Sequence, residues 1–374
     1  MFELDEGRQE MADQPKSIED FAAAGRWWRT EILTEVVCSA DGVNDLLKLL
    51  KERKSRPFFI IDDALLGQEA FKPLFERGEK FLFAASESEP RTDDVDRLTA
   101  LLRERAPAPD AIVGVGGGGA MDLAKATGIC LANPKPSAEY QGYGLDMKRG
   151  TDVWVLPTLT GTGAEVTPIA VLRGPEKKLG INNNFTAPSV AVVDPGLTKG
   201  VRKFNRFYSM MDCYFHHYEI TKSRTSEKNA TLDAADGLAV AKDVLSRDLS
   251  EFDGELAVKS SMASILGGSS TIGGRVGVSH AISYGLSNSG PKLPHSVAVT
   301  ISMLACKDIY LDGGYDDTLR FLRINGMPAP RARDYGIDES QIDSMTKTAL
   351  GMEKLWQSHF GDDWRRTVDK KFIG

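Results

Sequence analysis

The first half of the chain sets short apolar runs between amphipathic stretches. "PFFIID" (57–62), "KFLFAA" (80–85), "AIVGVG" (111–116) and "DVWVLP" (152–157) are apolar almost throughout, which predicts strands buried on both faces. Between them "DGVNDLLKLLKER" (41–53), "DDVDRLTALLRER" (93–105) and "AMDLAKATGICLA" (120–132) repeat apolar residues at helical spacing. That alternation predicts a parallel sheet wrapped by helices. "VAVVDPGL" (190–197) predicts a closing strand, broken at Asp194-Pro195. Beyond Pro195 the strand pattern fades, and 226–249, 254–286, 295–311 and 340–360 all predict helices. The expected fold class is α/β plus α. An α/β domain with a parallel sheet spans residues 26–195 and an all-helical domain spans 196–374, behind a loosely held acidic arm at 1–25.

Composition narrows the function. A chain of 374 residues suits about two domains, and two unlike halves predict a cleft between them, a common ligand site. Hydrophobic content of 41% and charged content of 26% are those of an ordinary globular protein. Forty-six Lys+Arg against 53 Asp+Glu leave a net charge of −7, which argues against nucleic acid or an anionic membrane as main partner. The four cysteines (38, 130, 213, 306) form no CxxC pair and fit a reduced, cytoplasmic setting. The acidic N-terminus lacks the order of a signal peptide. No apolar run approaches the roughly 20 residues of a membrane span.

Candidate chemistry begins at "IVGVGGGGAMDLAKATG", where glycines 114, 116, 117, 118 and 119 lie between a strand and a helix. Glycine lets backbone approach a phosphate, and the following helix N-terminus directs N–H groups at it. The run satisfies G-x-G-x-x-G formally but lacks the acid expected about 20 residues on, and no GK[ST] makes it a P-loop. Asp63, after "PFFIID", is the candidate acceptor for a ribose hydroxyl, and its charge would favour NAD over NADP; an exposed acid at a strand end is the alternative. A second polar loop, "LPTLTGTGAEVTP" (156–168), offers the hydroxyls of Thr158, Thr160 and Thr162 for phosphate, ribose or nicotinamide. Packing glycines and a plain turn are the bland alternatives for the two loops.

Histidine usage is the sharper signal. Only five are present, and "MMDCYFHHYE" (210–219) places His216 four residues after Asp212. On a helix the two lie about 40° apart, and Glu219 shares their stripe, whereas His217 lies about 140° away. "GVSHAISYGLSNSGPKLPHSVAV" adds His280 and His295, on helices meeting through a Gly/Pro/Asn-rich loop. One carboxylate and three imidazoles suit a divalent metal with open positions for substrate. Solvated Asp–His contacts are the alternative. His217 and His359 fit no constellation and read as structural.

Together these segments resemble the iron-containing (group III) alcohol dehydrogenase family over almost the whole chain: "GGGGAMDLAK" (116–125), "PTLTGTGAE" (157–165), "MDCYFHHYE" (211–219) and "HAISYGLSNSGPKLPHS" (280–296). The resemblance implies an N-terminal dinucleotide-binding domain and a helical metal-binding domain. It implies a divalent metal, Fe2+ or Zn2+, on Asp212, His216, His280 and His295. It implies NAD, rather than NADP, on Gly117, Gly118, Gly119, Thr158, Thr162, Lys178 and Asp63. Asp122 would stand near nicotinamide and substrate as a catalytic group. Tyr284 replaces a second family histidine and becomes the other candidate catalytic residue. Gly119 replaces a family serine, and Ser296 a family glycine.

Within the family, "YQGYG", "TGTGAE", "AVLRGPEKKLG", "FYSMMDCY" and "LWQSHFGDDW" are similar to the 3-deoxy-D-manno-octulosonate (Kdo) 8-oxidase subgroup. The implied reaction turns the C8 primary alcohol of that sugar acid into an aldehyde, as in lipopolysaccharide biosynthesis, before a partner aminotransferase acts. A homodimer is also implied. NAD and oxygen both stay open as the electron acceptor. The dehydroquinate synthase-like carbocyclases share the architecture, though the Asp-x-x-x-His helix favours a dehydrogenase. Another small-alcohol dehydrogenase and a nucleotide-binding protein without catalysis are the remaining alternatives.

Overall fold

A computed structural model describes residues 15–368 apart from 78, 85–88 and 290–292. Six parallel strands form the main sheet: β1 (Glu35–Cys38), β2 (Pro57–Asp62), β3 (Lys80–Phe83), β4 (Ala111–Gly116), β6 (Asp152–Pro157) and β9 (Val190–Val193), in the order β1-β9-β6-β4-β2-β3. Side chains alternate between two buried layers. Phe58, Ile60, Ile112, Val153, Val155, Ala191 and Val193 face one layer; Phe59, Ile61, Val113, Val115, Trp154, Leu156, Val190 and Val192 face the other. Burial on both faces is why these strands read as unbroken apolar runs.

The strand order locates a ligand crevice. From β2 the chain moves outward to β3, whereas from β4 it moves the other way, to β6 and then β9. Neighbouring β2 and β4 therefore send their following connections in opposite directions, and ligands bind where strand order reverses in this way. Asp62 ends β2 and Gly116 ends β4, side by side at that point, since Ile61 pairs with Val115.

Four strands had no sequence expectation. β1 is a short, half-exposed edge strand. β5 (Gly142–Tyr143), β7 (Ile169–Arg173) and β8 (Lys178–Asn182) make a small second sheet, ordered β5-β8-β7. Helices α1 (Ile18–Ala23), α2 (Gly42–Glu52), α3 (Lys72–Phe75), α4 (Thr92–Arg103) and α5 (Gly118–Cys130) complete this half. Of the expected loose arm, residues 1–14 lie outside the described residues. In α1, Ser17 forms a capping box with Asp20, and Phe21 is wholly buried.

After β9 every long element is helical: α6 (Lys203–Thr221), α7 (Lys228–Leu245), α8 (Gly254–Gly273), α9 (Val278–Ser289), α10 (His295–Ala305), α11 (Gly314–Ile324), α12 (Ile342–Leu350), α13 (Glu353–Phe360) and α14 (Trp364–Val368). Two helices expected to be continuous are broken. Gly274, extended at φ −119° and ψ 167°, ends α8 and separates it from α9. Gly351 and Met352 separate α12 from α13. No helix among the described residues is long and apolar enough to cross a membrane.

Candidate metal and nucleotide site

Helix α6 is buried along most of its length and presents Asp212 and His216 one turn apart. His280, from the first turn of α9, joins them, so that one ligand atom of each residue lies within 4.8 Å of the other two. The His216 and His280 rings stack, centroids 4.8 Å apart. His280 Nε2 stands 3.5 Å from Asp212 Oδ1. His295, at the start of α10, brings its Nε2 to 3.9 Å from the same oxygen, on the more exposed side of the group. All four residues picked from sequence thus converge, three tightly and His295 at the rim.

The polar atoms here are unlike those elsewhere in the core. Asp212 Oδ1 and Oδ2, His216 Nδ1 and His280 Nε2 are buried, and none has a hydrogen-bond partner among the described residues. Buried polar groups are normally satisfied, so a cluster of orphans calls for an absent partner. Burial opposes the charge on Asp212, yet the imidazoles of His216, His295 and His280 hold its pKa well below the usual carboxylate range. Burial depresses His216 and His295 to about 4, so both are neutral donors. A carboxylate with neutral imidazoles is the deprotonated donor set a divalent cation needs.

Glu219, seven residues after Asp212 on the same helix, supplies the support that sequence reasoning left out of the site. Its Oε2 accepts from His280 Nδ1 at 2.5 Å and from the Gly277 amide at 2.9 Å. Its Oε1 accepts from the Ser279 amide at 2.7 Å and the Tyr310 hydroxyl at 2.5 Å. Four donors fix the carboxylate, which fixes the His280 ring and leaves Nε2 to face the cluster. Burial works against the charge of His280, but Glu219 and Asp212 outweigh it and raise that imidazole to about 9. The stripe shared by Asp212, His216 and Glu219 was the available signal; nothing in sequence pointed to Tyr310.

The glycine turn lies at the strand-order reversal. Gly116 sits at φ +148°, and a Cβ there would come within 2.7 Å of Asp62 Cβ. No side chain caps the first turn of α5 behind Gly117, so its N–H groups and positive dipole end stay open for an anion. Thr162 Oγ1 would lie 3.3 Å from a Cβ on Gly118. A Cβ on Gly119 would approach the Phe83 ring to 3.0 Å.

Beside the turn stands Asp62, one residue before the expected Asp63. Asp62 accepts from the Ala64 amide at 3.0 Å, and burial raises its pKa while the Gly117 amide acts the other way. Asp63 begins the next helical turn, and its Oδ1 is buried without a partner.

The loop after β6 returns across the cleft. Thr158 donates its amide to Gly116 O at 2.9 Å. Ser264 Oγ on α8 accepts from the amides of Gly161 (3.0 Å) and Gly163 (3.3 Å) and donates to buried Glu165 at 2.7 Å. Gly163, at φ +68°, packs directly on Gly268, and only a glycine meets both demands. Thr158 and Thr160 are buried, leaving Thr162 the more accessible hydroxyl.

Asp122 is tied down: Oδ1 accepts from buried Lys125 at 3.1 Å and Oδ2 from the Val171 amide at 3.0 Å. The second bond joins α5 to β7, and the two together occupy both oxygens, so the carboxylate expected to face the substrate serves first as a brace. Lys178 bonds Glu89 through Nζ at 2.5 Å, and its amide donates to Asn288 at 2.6 Å. Tyr284 is half-buried, its ring 6.3 Å from that of His295. His217 is wholly buried, with Nε2 at 3.0 Å from Ala263 O, and His359 packs on Tyr310. Neither reaches the cluster.

The family model for iron-containing alcohol dehydrogenase matches residues 34–195. The chain is 25% identical over 354 residues to long-chain-alcohol dehydrogenase 1 of Geobacillus thermodenitrificans (strain NG80-2), covering 84% of this chain and 88% of that one. The family-model match covers the parallel-sheet half of the chain, and the long-chain-alcohol dehydrogenase alignment runs on through the helical half. These similarities and the Asp212–His216–His280 cluster support an oxidoreductase that uses a divalent metal and NAD. Over 172 residues it is 30% identical to the sulfoacetaldehyde reductase of Bilophila wadsworthia (strain 3_1_6), an alignment spanning only 44% of either protein. Its fold matches that of the sulfoacetaldehyde reductase from Bifidobacterium kashiwanohense in complex with NAD+, with a TM-score of 0.75, 22% identity, and 87% and 93% of the two chains covered.

Proposed function

We propose that this dehydrogenase oxidises a primary alcohol of a sugar acid, the C8 hydroxyl of Kdo being the specific candidate, and passes the hydride to NAD. The observation that carries the chemistry is the group of buried, unpartnered donor atoms on Asp212, His216 and His280, with His295 beside them. Bound there, a divalent cation would supply Lewis-acid polarisation of the substrate oxygen, and NAD at the glycine turn would supply the hydride acceptor.

The chain's own residues do the rest. Glu219 holds the His280 ring in its ligand orientation. Tyr284 faces the same space; burial keeps its phenol above the ordinary value of 10, so it enters as a hydrogen-bond donor to the substrate oxygen. Asp122 braces α5 against β7 through the Val171 amide. Thr162 lies over Gly118, and Asp62 takes the ribose role expected of Asp63. Lys178, paired with Glu89, lines the cleft instead of meeting phosphate directly.

The sugar-acid reading is supported by the subgroup-like segments of the sequence. In that case the aldehyde is consumed by an aminotransferase, and the working unit is a homodimer. The two sulfoacetaldehyde reductases favour a second reading, a short anionic aldehyde. Metal-loaded protein should form NADH with Kdo, with or without oxygen. No NADH from any sugar acid, alongside turnover of sulfoacetaldehyde or of simple alcohols, would reject the sugar-acid assignment.

A further inference from the structure

We infer that Arg275 and Lys354, gathered around the ring of Tyr143, form an anion-binding rim that holds the substrate's carboxylate at the end remote from its reacting alcohol. The inference rests on the proposed sugar-acid dehydrogenase and adds where the negative charge goes. Tyr143 is exposed at 48% on β5. Arg275 Cζ lies 5.7 Å and Lys354 Nζ 4.9 Å from its ring centroid. Among the described residues neither cation forms an ion pair, and Glu353, beside Lys354, is taken by Arg365. Two like charges drawn to one ring repel each other, and an anion between them relieves that repulsion.

The rim is held rigidly. The Arg275 amide donates to Ser226 Oγ at 3.2 Å, and its carbonyl accepts from Ser358 Oγ on α13 at 2.8 Å. That bond links the Arg275 segment to the helix that carries Lys354. Arg275 also lies five residues before His280, so the rim and the metal cluster share one stretch of backbone.

Its separation from the cluster by intervening aromatic residues favours a substrate charged at the end away from its alcohol. A chain of neighbours links the two: Asp212 to His295, His295 to Tyr284 at 6.3 Å between ring centroids, Tyr284 to Tyr143, which lies close enough to affect its phenol, and Tyr143 to the two cations. Two aromatic side chains thus connect His295 to the positive rim. A two-carbon sulfonate carries its charge beside the reacting carbon and cannot span them. A sugar acid, with carboxylate and primary alcohol at opposite ends, can. "YQGYG", which contains Tyr143, has no other task in the site.

The test compares Arg275→Met and Lys354→Met with the unaltered, metal-loaded enzyme. One readout is the ratio of kcat/KM for Kdo to that for a neutral alditol of matched length. The other is calorimetric affinity for a deoxy-aldonate that keeps the carboxylate and lacks the terminal hydroxyl. The ratio and the affinity should each fall about tenfold in Arg275→Met, the scale of a hydrogen bond to a charged group, and about threefold in the exposed Lys354→Met. Lys354 lies on the surface, so its variant folds whatever becomes of Arg275. Unchanged values in both variants, with the unaltered enzyme still preferring the acid, overturn the rim and leave the dehydrogenase reading standing. An unaltered enzyme that oxidises alditols with no preference for acids overturns both the rim and the sugar-acid assignment.

Discussion

The glycine turn and the helical pocket prepare for their ligands in opposite ways. At the turn, backbone does the work: Gly116 to Gly119 keep side chains away, and the uncapped start of α5 offers N–H groups to any anion that fits. In the pocket, side chains do it: one carboxylate and the imidazoles of His216 and His280, from two helices, are brought together, unsatisfied, in the core, with His295 at the rim. Open backbone amides can be hydrated and cost little while they wait. A buried carboxylate without donors is expensive, so the pocket needs Glu219 and its four donors to hold the geometry. The turn therefore depends on what is absent and the pocket on what is anchored.

Substitutions sharpen that contrast. Asp212→Ala should remove the metal and lower turnover on the order of 10³-fold or more, measured by metal analysis and steady-state rates; retained metal at full rate would contradict the ligand assignment. Glu219→Gln keeps the shape but weakens the hold on His280, and metal affinity should fall about 10- to 100-fold in a chelator competition. Wild-type affinity in that variant would make the anchor dispensable.

At the turn the expected effects are smaller. Gly116→Ala puts a methyl against Asp62 at a strained φ, and thermal unfolding should show a loss of about 1–3 kcal/mol; an unchanged midpoint would mean that the turn relaxes freely. Asp62→Asn removes the charge that would repel a 2′-phosphate, so the NAD-to-NADP preference should shrink about tenfold, whereas Asp63→Asn should leave it unaltered. The reverse result would restore Asp63 to the ribose role.

The smallest effect concerns pH. Burial opposes the charge on Glu89, but Lys178 and Arg173 pull its pKa below the ordinary 4.5. A depressed carboxylate stabilises the fold fully above its unfolded value and loses that contribution as pH falls through the folded value. The melting temperatures of the unaltered protein and Glu89→Gln should therefore converge below about pH 4.5; parallel curves would show that the ion pairs contribute nothing.

The two regions were not equally legible in sequence. Strands β2, β4, β6 and β9 were readable because burial on both faces makes them continuously apolar. β1, β5, β7 and β8 were not, because an edge strand and a small sheet carrying Lys178 and Asn182 lack that pattern. The Asp212–His216 pair was visible in its helical spacing, and His280 and His295 in the later motif. Glu219 lay on the visible stripe, but its worth depends on Tyr310 and on the Gly277 and Ser279 amides, which only folding brings to it. That Asp62 lies beside Gly116 was not legible either, since it depends on strand register, which one residue shifts.

The most direct test is a crystal of the protein loaded with Fe2+, with anomalous scattering recorded at the iron edge. The account predicts one peak bonded to Asp212, His216, His280 and His295 at about 2.0–2.2 Å, the usual range for nitrogen and carboxylate ligands. Stoichiometric iron at any other place in the molecule would contradict it.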